Sequence, residues 1–199
     1  MQPSNAEQDK RSDEALMRAY GQGDARAFEA LYARHKAATY RYFLRHASGD
    51  AATADELHQD LWLKLIGARE RYEARAKFST WLYTLARHRM VDHWRSRNGV
   101  TLESLEDEAT VTQAEESVSA SRDGIGDPLY ATIDAQARRR LVAALADVPR
   151  LQRDAFLLHI EAGLSLEEIA GLTAASAETV KSRLRYAYRR LRAALEDLQ

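Results

Sequence analysis

The chain has 199 residues, 45% hydrophobic and 30% charged, enough apolar side chains to bury one large core or two small ones. It contains no cysteine, which excludes disulfide scaffolds, thiolate metal sites and cysteine nucleophiles and suits a reducing compartment such as the cytoplasm. Met1 to Glu14 is polar, with no apolar signal-peptide core, and no run of about 18 apolar residues occurs, so neither secretion nor membrane insertion is expected. Nine glycines and three prolines in a chain rich in Ala, Leu, Arg and Glu predict an all-α protein.

The formal net charge of −1 hides a segregation. Residues 24–98 carry 14 basic and 9 acidic side chains and residues 135–199 carry 11 and 8, whereas 99–134 carry 1 and 9, together with Gly99, Gly124, Gly126 and Pro128. This predicts two small helical domains, 1–98 and 135–199, joined by a flexible acidic linker, 99–134; a long surface loop within one domain is the alternative.

In the first domain, Asp24 is a candidate N-cap for a helix whose Phe28, Leu31, Tyr32, His35, Tyr42 and Phe43 form a core stripe, stopped by Ser48-Gly49. Thr53-Ala54-Asp55-Glu56 reads as a capping box opening a second helix with Leu57, Leu61 and Leu65 inward. Asp55, Glu56, Gln59 and Asp60 share its other face with Trp62, a mixture that suits a protein-docking surface; a buried tryptophan behind a solvated acidic face fits the spacing equally well. The third helix, Phe78–Arg97, points Leu82, Ala86 and Met90 inward. It places Trp81, Thr84, His88 and Arg95 on another face, with Arg87, Arg89, Arg97 and Asp92 alongside. An aromatic among guanidinium groups is the chemistry of a stacking platform for unpaired bases, although helical aromatics are more often core.

In the second domain, Leu141, Leu145 and Val148 form one short stripe ended by Pro149, and Phe156, Leu157 and Ile160 another ended by Gly163. Ser165-Leu166-Glu167-Glu168 is a second capping box, Thr173-Ala174-Ala175 a turn, and Ser176 a cap for a long last helix: a helix-turn-helix, 166–185, held by Ile169 and Val180 with small Ala170 at the crossing. Val180, Leu184, Ala187, Leu191, Leu195 and Leu198 face the core. Glu178, Ser182, Arg185, Tyr186 and Arg189 project elsewhere, with Lys181, Arg183, Arg190 and Arg192 at the margins. Such residues read base edges in a major groove and neutralise phosphates; a solvated basic face or a coiled-coil seam is the alternative.

Three stretches in order resemble the extracytoplasmic-function (ECF) type of bacterial sigma factor, which keeps two of its family's helical domains. Ala54-Asp55-Glu56-Leu57-His58-Gln59-Asp60-Leu61-Trp62-Leu63-Lys64 resembles the segment that docks on the clamp helices of RNA polymerase. Phe78 to His88, with Asp92 and Arg95, resembles the promoter-melting helix, and Thr179-Val180-Lys181-Ser182-Arg183-Leu184 the recognition helix. The resemblance covers most of the chain and implies an alternative sigma factor, serving a stress or envelope-signal regulon, that performs no covalent chemistry and needs no cofactor. It implies that Asp55, Glu56, Leu57, Gln59, Asp60, Trp62 and Leu63 bind core polymerase, and that Phe78, Trp81, Thr84, Arg87, His88, Asp92 and Arg95 take the melted minus-ten strand. Ser176, Glu178, Thr179, Lys181, Ser182, Arg183, Arg185, Tyr186 and Arg189 would read the minus-thirty-five duplex, on the polymerase flap. The implied partners are core RNA polymerase and promoter DNA, duplex and melted, with an anti-sigma protein as a further candidate.

The chain departs from the family pattern at His88, where Asn is common, at Ala174, where the turn usually has Gly, and at Arg185-Tyr186, usually a His/Arg pair. Ala174 implies a turn that either avoids the left-handed region or is strained. A stand-alone helix-turn-helix regulator would explain the second half alone. A metal-dependent hydrolase using His35, His46, His58 or His93 lacks an HExxH motif.

Overall fold

The computed structural model describes residues 10–98 and 135–195, and all regular structure among them is helical. The acidic segment 99–134 and Leu198 lie outside the described residues, as does the side chain of Leu195.

Helix α1 (Asp13–Gly21) has no counterpart in the sequence reading; it buries Leu16 and Met17 and is capped by the Ser12 hydroxyl, which accepts from Ala15 N at 3.2 Å. Helix α2 (Ala25–His46) begins where expected, the Asp24 carboxylate accepting from Arg26 N and Ala27 N. It gives way to Ser48 and Gly49, both at positive φ (55° and 88°). Of its expected core stripe, Leu31, Tyr42 and Phe43 are fully buried, while Tyr32 keeps 37% of its surface.

Helix α3 (Ala51–Ala68) starts before the expected Thr53 box. Asp50 is the N-cap, accepting from Ala52 N at 3.1 Å and from the Thr53 hydroxyl at 2.7 Å, so a carboxylate and two helix-forming alanines move the start upstream. Helix α4 (Phe78–Asn98) is capped from a distance: Glu14 of α1 accepts from Phe78 N at 2.7 Å. Leu57, Leu61, Leu65, Leu82, Ala86 and Met90 close the core, each at most 1% exposed and as the periodicity requires.

In the second half, α5 (Ala135–Ala146) and α6 (Arg150–Ile160) support a helix-turn-helix formed by α7 (Leu166–Thr173) and α8 (Ala177–Leu195). The second capping box is present in both directions, Ser165 Oγ accepting from Glu168 N (3.2 Å) and Glu168 Oε2 from Ser165 N (2.8 Å). Ser176 Oγ accepts from Thr179 N at 3.0 Å. Ala174 adopts φ 55°, ψ 30°, the left-handed conformation, so the strained alternative holds. Ile169, Val180, Leu184 and Ala187 are fully buried.

The two halves pack on one another through α6. Leu151 to Leu158 are buried without exception, the polar and charged Gln152, Arg153 and Asp154 among them. Asp154 accepts from Tyr42 Oη (2.8 Å) and Arg87 Nε (2.7 Å), and His46 Nε2 lies 3.4 Å from its Oδ1. Arg153 fastens the chain behind it, donating to the carbonyls of Ala146, Val148 and His46. Burial by itself would raise the Asp154 pKa, but the Arg87 guanidinium and the surrounding donors hold the carboxyl well below its ordinary range. Burial pushes His46 below its ordinary value, so it is neutral at pH 7.

Ala174→Gly removes a left-handed alanine that costs about 1–2 kcal/mol against a smaller entropic loss, and raises stability in urea unfolding by about 0.5–1 kcal/mol. Because His46 has a lower pKa folded than unfolded, its contribution is present above pH 6.5 and is lost on acidification. Burial lowers His58 and His93 in the same direction. The urea midpoint therefore falls from pH 7 to pH 5, and His46→Gln makes the fall shallower.

Candidate functional site

The expected docking face of α3 divides in two. Asp55, Glu56, Gln59 and Leu63 are exposed, Leu63 at 55%. Leu57 (0%) and Trp62 (5%) are core residues, correcting the expectation that they contact a partner. Trp62 lies within one helical turn of Leu61 and Leu65. Phe28 and Tyr32 close over its ring, with centroids at 5.9 and 4.9 Å, and its Nε1 donates to His58 Nε2 at 2.9 Å. The aromatic body of this face is instead Tyr32, which the core stripe had claimed. Asp60 is half-exposed and accepts from Arg89 Nε at 3.0 Å, tying α3 to α4.

On α4, His88, Asp92 and Arg95 are exposed, and Trp81 and Thr84 partly so. Asp92 has a long, exposed pairing with Lys64 at 3.9 Å. Two expectations are corrected. Phe78 is fully buried because the first turn of α4 points it into the core, against His35 and Tyr72. Arg87 is 7% exposed and engages Asp154, so in this arrangement it serves the contact between domains rather than a nucleic acid.

Trp81 forms one wall of a cavity of about 460 Å³ with Arg71, Glu73, Arg75, Ala76, Thr80 and Thr84. Tyr72 and Phe78 hold its indole from behind, with centroids at 4.9 and 5.8 Å. The cavity is within the roughly 300–1,000 Å³ range of small-molecule sites. It combines a π-face, two hydroxyls and the guanidinium groups of Arg71 and Arg75, which suit a flat heteroaromatic ring attached to a phosphate, with the Glu73 carboxylate accepting from Arg75 Nε at 2.6 Å. The sequence reading missed its far wall, 71–76, because it lies in the irregular connection before α4, where no periodicity marks a face. The density of Arg and Glu between Arg69 and Lys77 was the available signal.

On α8, Ser176, Glu178, Lys181, Arg185 and Arg189 are exposed, and Thr179 and Ser182 partly so. Glu178 lies 3.7 Å from Lys181 and 3.9 Å from Arg185, an exposed cluster that screening weakens. Arg183 (6%) and Tyr186 (8%) are buried, correcting their placement on the reading face. Helices α5, α6 and α7 all contact α8, so its buried arc is wider than one apolar stripe. The Arg189 guanidinium covers the Tyr186 ring at 5.9 Å.

The histidines weighed as metal ligands are dispersed: His35 contacts Asp13, His46 approaches Asp154, and His58 lies between Thr39 and Trp62. Among the described residues no three metal-ligating side chains cluster, and no helix is long and apolar enough to cross a membrane.

Residues 31–100 match the family model for sigma-70 region 2, and residues 138–191 that for sigma-70 region 4. The chain is 32% identical over 184 residues to the RNA polymerase sigma factor CarQ of Myxococcus xanthus, covering 92% of this chain and 97% of that protein. It is 34% identical over 185 residues to the ECF RNA polymerase sigma factor SigL of Mycobacterium tuberculosis, covering 88% and 92%. Two solved structures share the fold. They are the sigma factor RpoE bound to the anti-sigma factor NepR from Bartonella quintana (TM-score 0.61, 22% identity, 85% of this chain and 96% of that one), and CnrH bound to the cytosolic domain of CnrY (0.62, 21%, 94% and 99%). With matched regions in both halves and relatives along nearly the whole length, the chain belongs to the sigma-70 family as an ECF-type alternative sigma factor directing promoter-specific transcription initiation.

Proposed function

We propose that the labour is divided among three surfaces. The exposed Asp55, Glu56, Gln59 and Leu63 of α3, with Tyr32, dock core RNA polymerase. The Trp81 cavity and the exposed His88, Asp92 and Arg95 receive the melted minus-ten strand, and Ser176, Glu178, Thr179, Lys181, Ser182, Arg185 and Arg189 read the minus-thirty-five duplex beside the polymerase flap. Leu57, Trp62, Phe78, Arg183 and Tyr186 act behind these surfaces, holding the helices that present them. The observation that carries this reading is the cavity itself: an indole wall with hydroxyls and guanidinium groups, on a helix within the region 2 match.

No covalent step is required. Extracting a base from the stack costs a few kcal/mol, and one aromatic stacking contact returns about 1–3 kcal/mol, so a single pocket of this kind offsets much of the cost of opening. The arginines then hold the strand by its phosphates. The promoters served belong to a stress or envelope-signal regulon. The protein acts in the cell interior, where polymerase and promoters are, and an anti-sigma protein is a partner of the class named for one structural neighbour, RpoE.

Trp81→Ala lowers promoter opening at least tenfold, read by permanganate reactivity of minus-ten thymines, while affinity for core polymerase stays within twofold; equal losses in both would make Trp81 a structural residue. Leu63→Ala weakens core binding by about tenfold, the scale of a hot-spot side chain, without moving the unfolding midpoint. Trp62→Ala instead costs about 3–5 kcal/mol of stability, and unfolding curves of the two variants separate the roles.

A further inference from the structure

The cavity beside Trp81 is built from two pieces of chain. Arg71, Glu73, Arg75 and Ala76 belong to the connection 69–77, and Thr80, Trp81 and Thr84 to the first turns of α4. Beyond the short 3-10 turn Arg69–Arg71 the connection has no regular structure. Its ends must be held from outside if its arginines are to stand at a set distance from the indole.

Both ends are held by α1. Where the connection enters α4, Glu14 accepts from Phe78 N at 2.7 Å. That N–H keeps the Glu14 carboxyl below its ordinary value, so at neutral pH an anion stands at the positive end of the α4 dipole. Where the connection begins, the α1 backbone comes so near that a Cβ on Gly21 would lie 2.8 Å from the Arg69 carbonyl oxygen. The Arg69 guanidinium covers the ring of Tyr20, the preceding residue of α1, at 5.7 Å. Between the two ends, Tyr72 backs the Trp81 indole at 4.9 Å, and its buried hydroxyl is near enough to α1 to feel the charges of Glu14, Arg18 and Asp13.

Helix α1 is itself anchored on its other side. Asp13 accepts from Arg34 Nη1 at 2.6 Å and meets His35 Nε2 at 2.7 Å, both on α2, and Leu16 and Met17 are fully buried. Two adjacent carboxylates, Asp13 and Glu14, therefore tie α2 to the start of α4 through the first turn of α1.

We propose that α1 sets the width of the cavity: Glu14 and Gly21 fix the two ends of the connection, hence the distance from Arg71 and Arg75 to the Trp81 ring, and so govern which minus-ten base is held without touching it. The inference rests on reading the cavity as the minus-ten pocket. Stacking on an indole tolerates any base, so selection among bases falls to the polar wall, and a polar wall discriminates only while its donors and acceptors stay within a fraction of an ångström of the productive geometry. Glu14 is thus a positioning residue, and its loss costs selectivity more than grip.

The test uses the full chain with core polymerase on a promoter that it opens, each minus-ten position of the non-template strand being varied through the four bases. Initiation rates at limiting protein give the preference at each position. In Glu14→Ala the preference at the captured position falls by about tenfold, the scale on which one hydrogen-bonded contact distinguishes bases, while affinity for core polymerase stays within twofold. Glu14→Gln, which keeps an acceptor oxygen for Phe78 N, retains the preference within twofold. Gly21→Ala, acting on the far end of the connection, loses it as Glu14→Ala does. Where Glu14→Ala lowers helicity by circular dichroism, Gly21→Ala carries the test, since Ala is the better helix former. Equal loss of initiation on all four templates, with the preference unmoved, overturns the proposal. Hydrogen exchange of the free chain gives a readout independent of promoters: peptides within 70–77 exchange about tenfold faster in Glu14→Ala and Gly21→Ala while those of α2 and α3 are unchanged, and unchanged exchange in 70–77 overturns the proposal as well. A parent protein with no base preference at any minus-ten position would overturn the pocket reading instead, while exchange still decides whether α1 holds the connection.

Discussion

A single carboxylate organises this molecule. Asp154 lies on a helix buried on all sides and remains ionised because Arg87, Tyr42 and His46 approach it from the other domain. An isolated charge in such a place would cost several kcal/mol, so the position of α6 is tied to that of α2 and α4. This constraint fixes which face of the second domain meets the first and places Glu161 and Glu168 over Arg41, Arg45 and Lys77. It also leaves the chemistry-bearing faces of α3 and most of α8 uncovered.

The surfaces proposed for recognition share a construction: an exposed residue supported by a buried one beside it in sequence. Leu63 is exposed next to buried Trp62, Trp81 is partly exposed next to buried Leu82, and Arg185 is exposed next to buried Leu184. The rigid core fixes the rotamers and axes of the helices, so polar and aromatic tips are presented without first being ordered, which lowers the entropic cost of binding. The cavity beside Trp81 extends the logic, its indole held from behind by Tyr72 and Phe78 while the front stays open.

Much of this was legible in the sequence. Helical periodicity located α2, α3, α4 and the helix-turn-helix, the Ser165 box and the Ser176 cap are where local hydrogen bonding puts them, and the exposure of Glu178, Lys181 and Arg185 follows from their angle to Val180 and Leu184. The errors came where tertiary contact overrides a helical wheel. Trp62, Phe78, Arg183 and Tyr186 sit at the margins of apolar stripes, and a second packed neighbour decided their burial. Arg87 and Asp154 were illegible for a stronger reason: each is a charged residue that a single helix would expose, and only the pairing between residues far apart in sequence makes their burial favourable. Helix α1 escaped because it contributes just two buried side chains, and the wall at 71–76 because irregular backbone has no period.

The measurement that tests the central claim most directly is transcription in vitro from a pool of genomic promoter fragments, with purified core polymerase in the presence and absence of the protein. Initiation that depends on the protein, from start sites sharing one sequence near minus ten and another near minus thirty-five, is the predicted result. No protein-dependent initiation, together with no co-migration with the core enzyme, would contradict it.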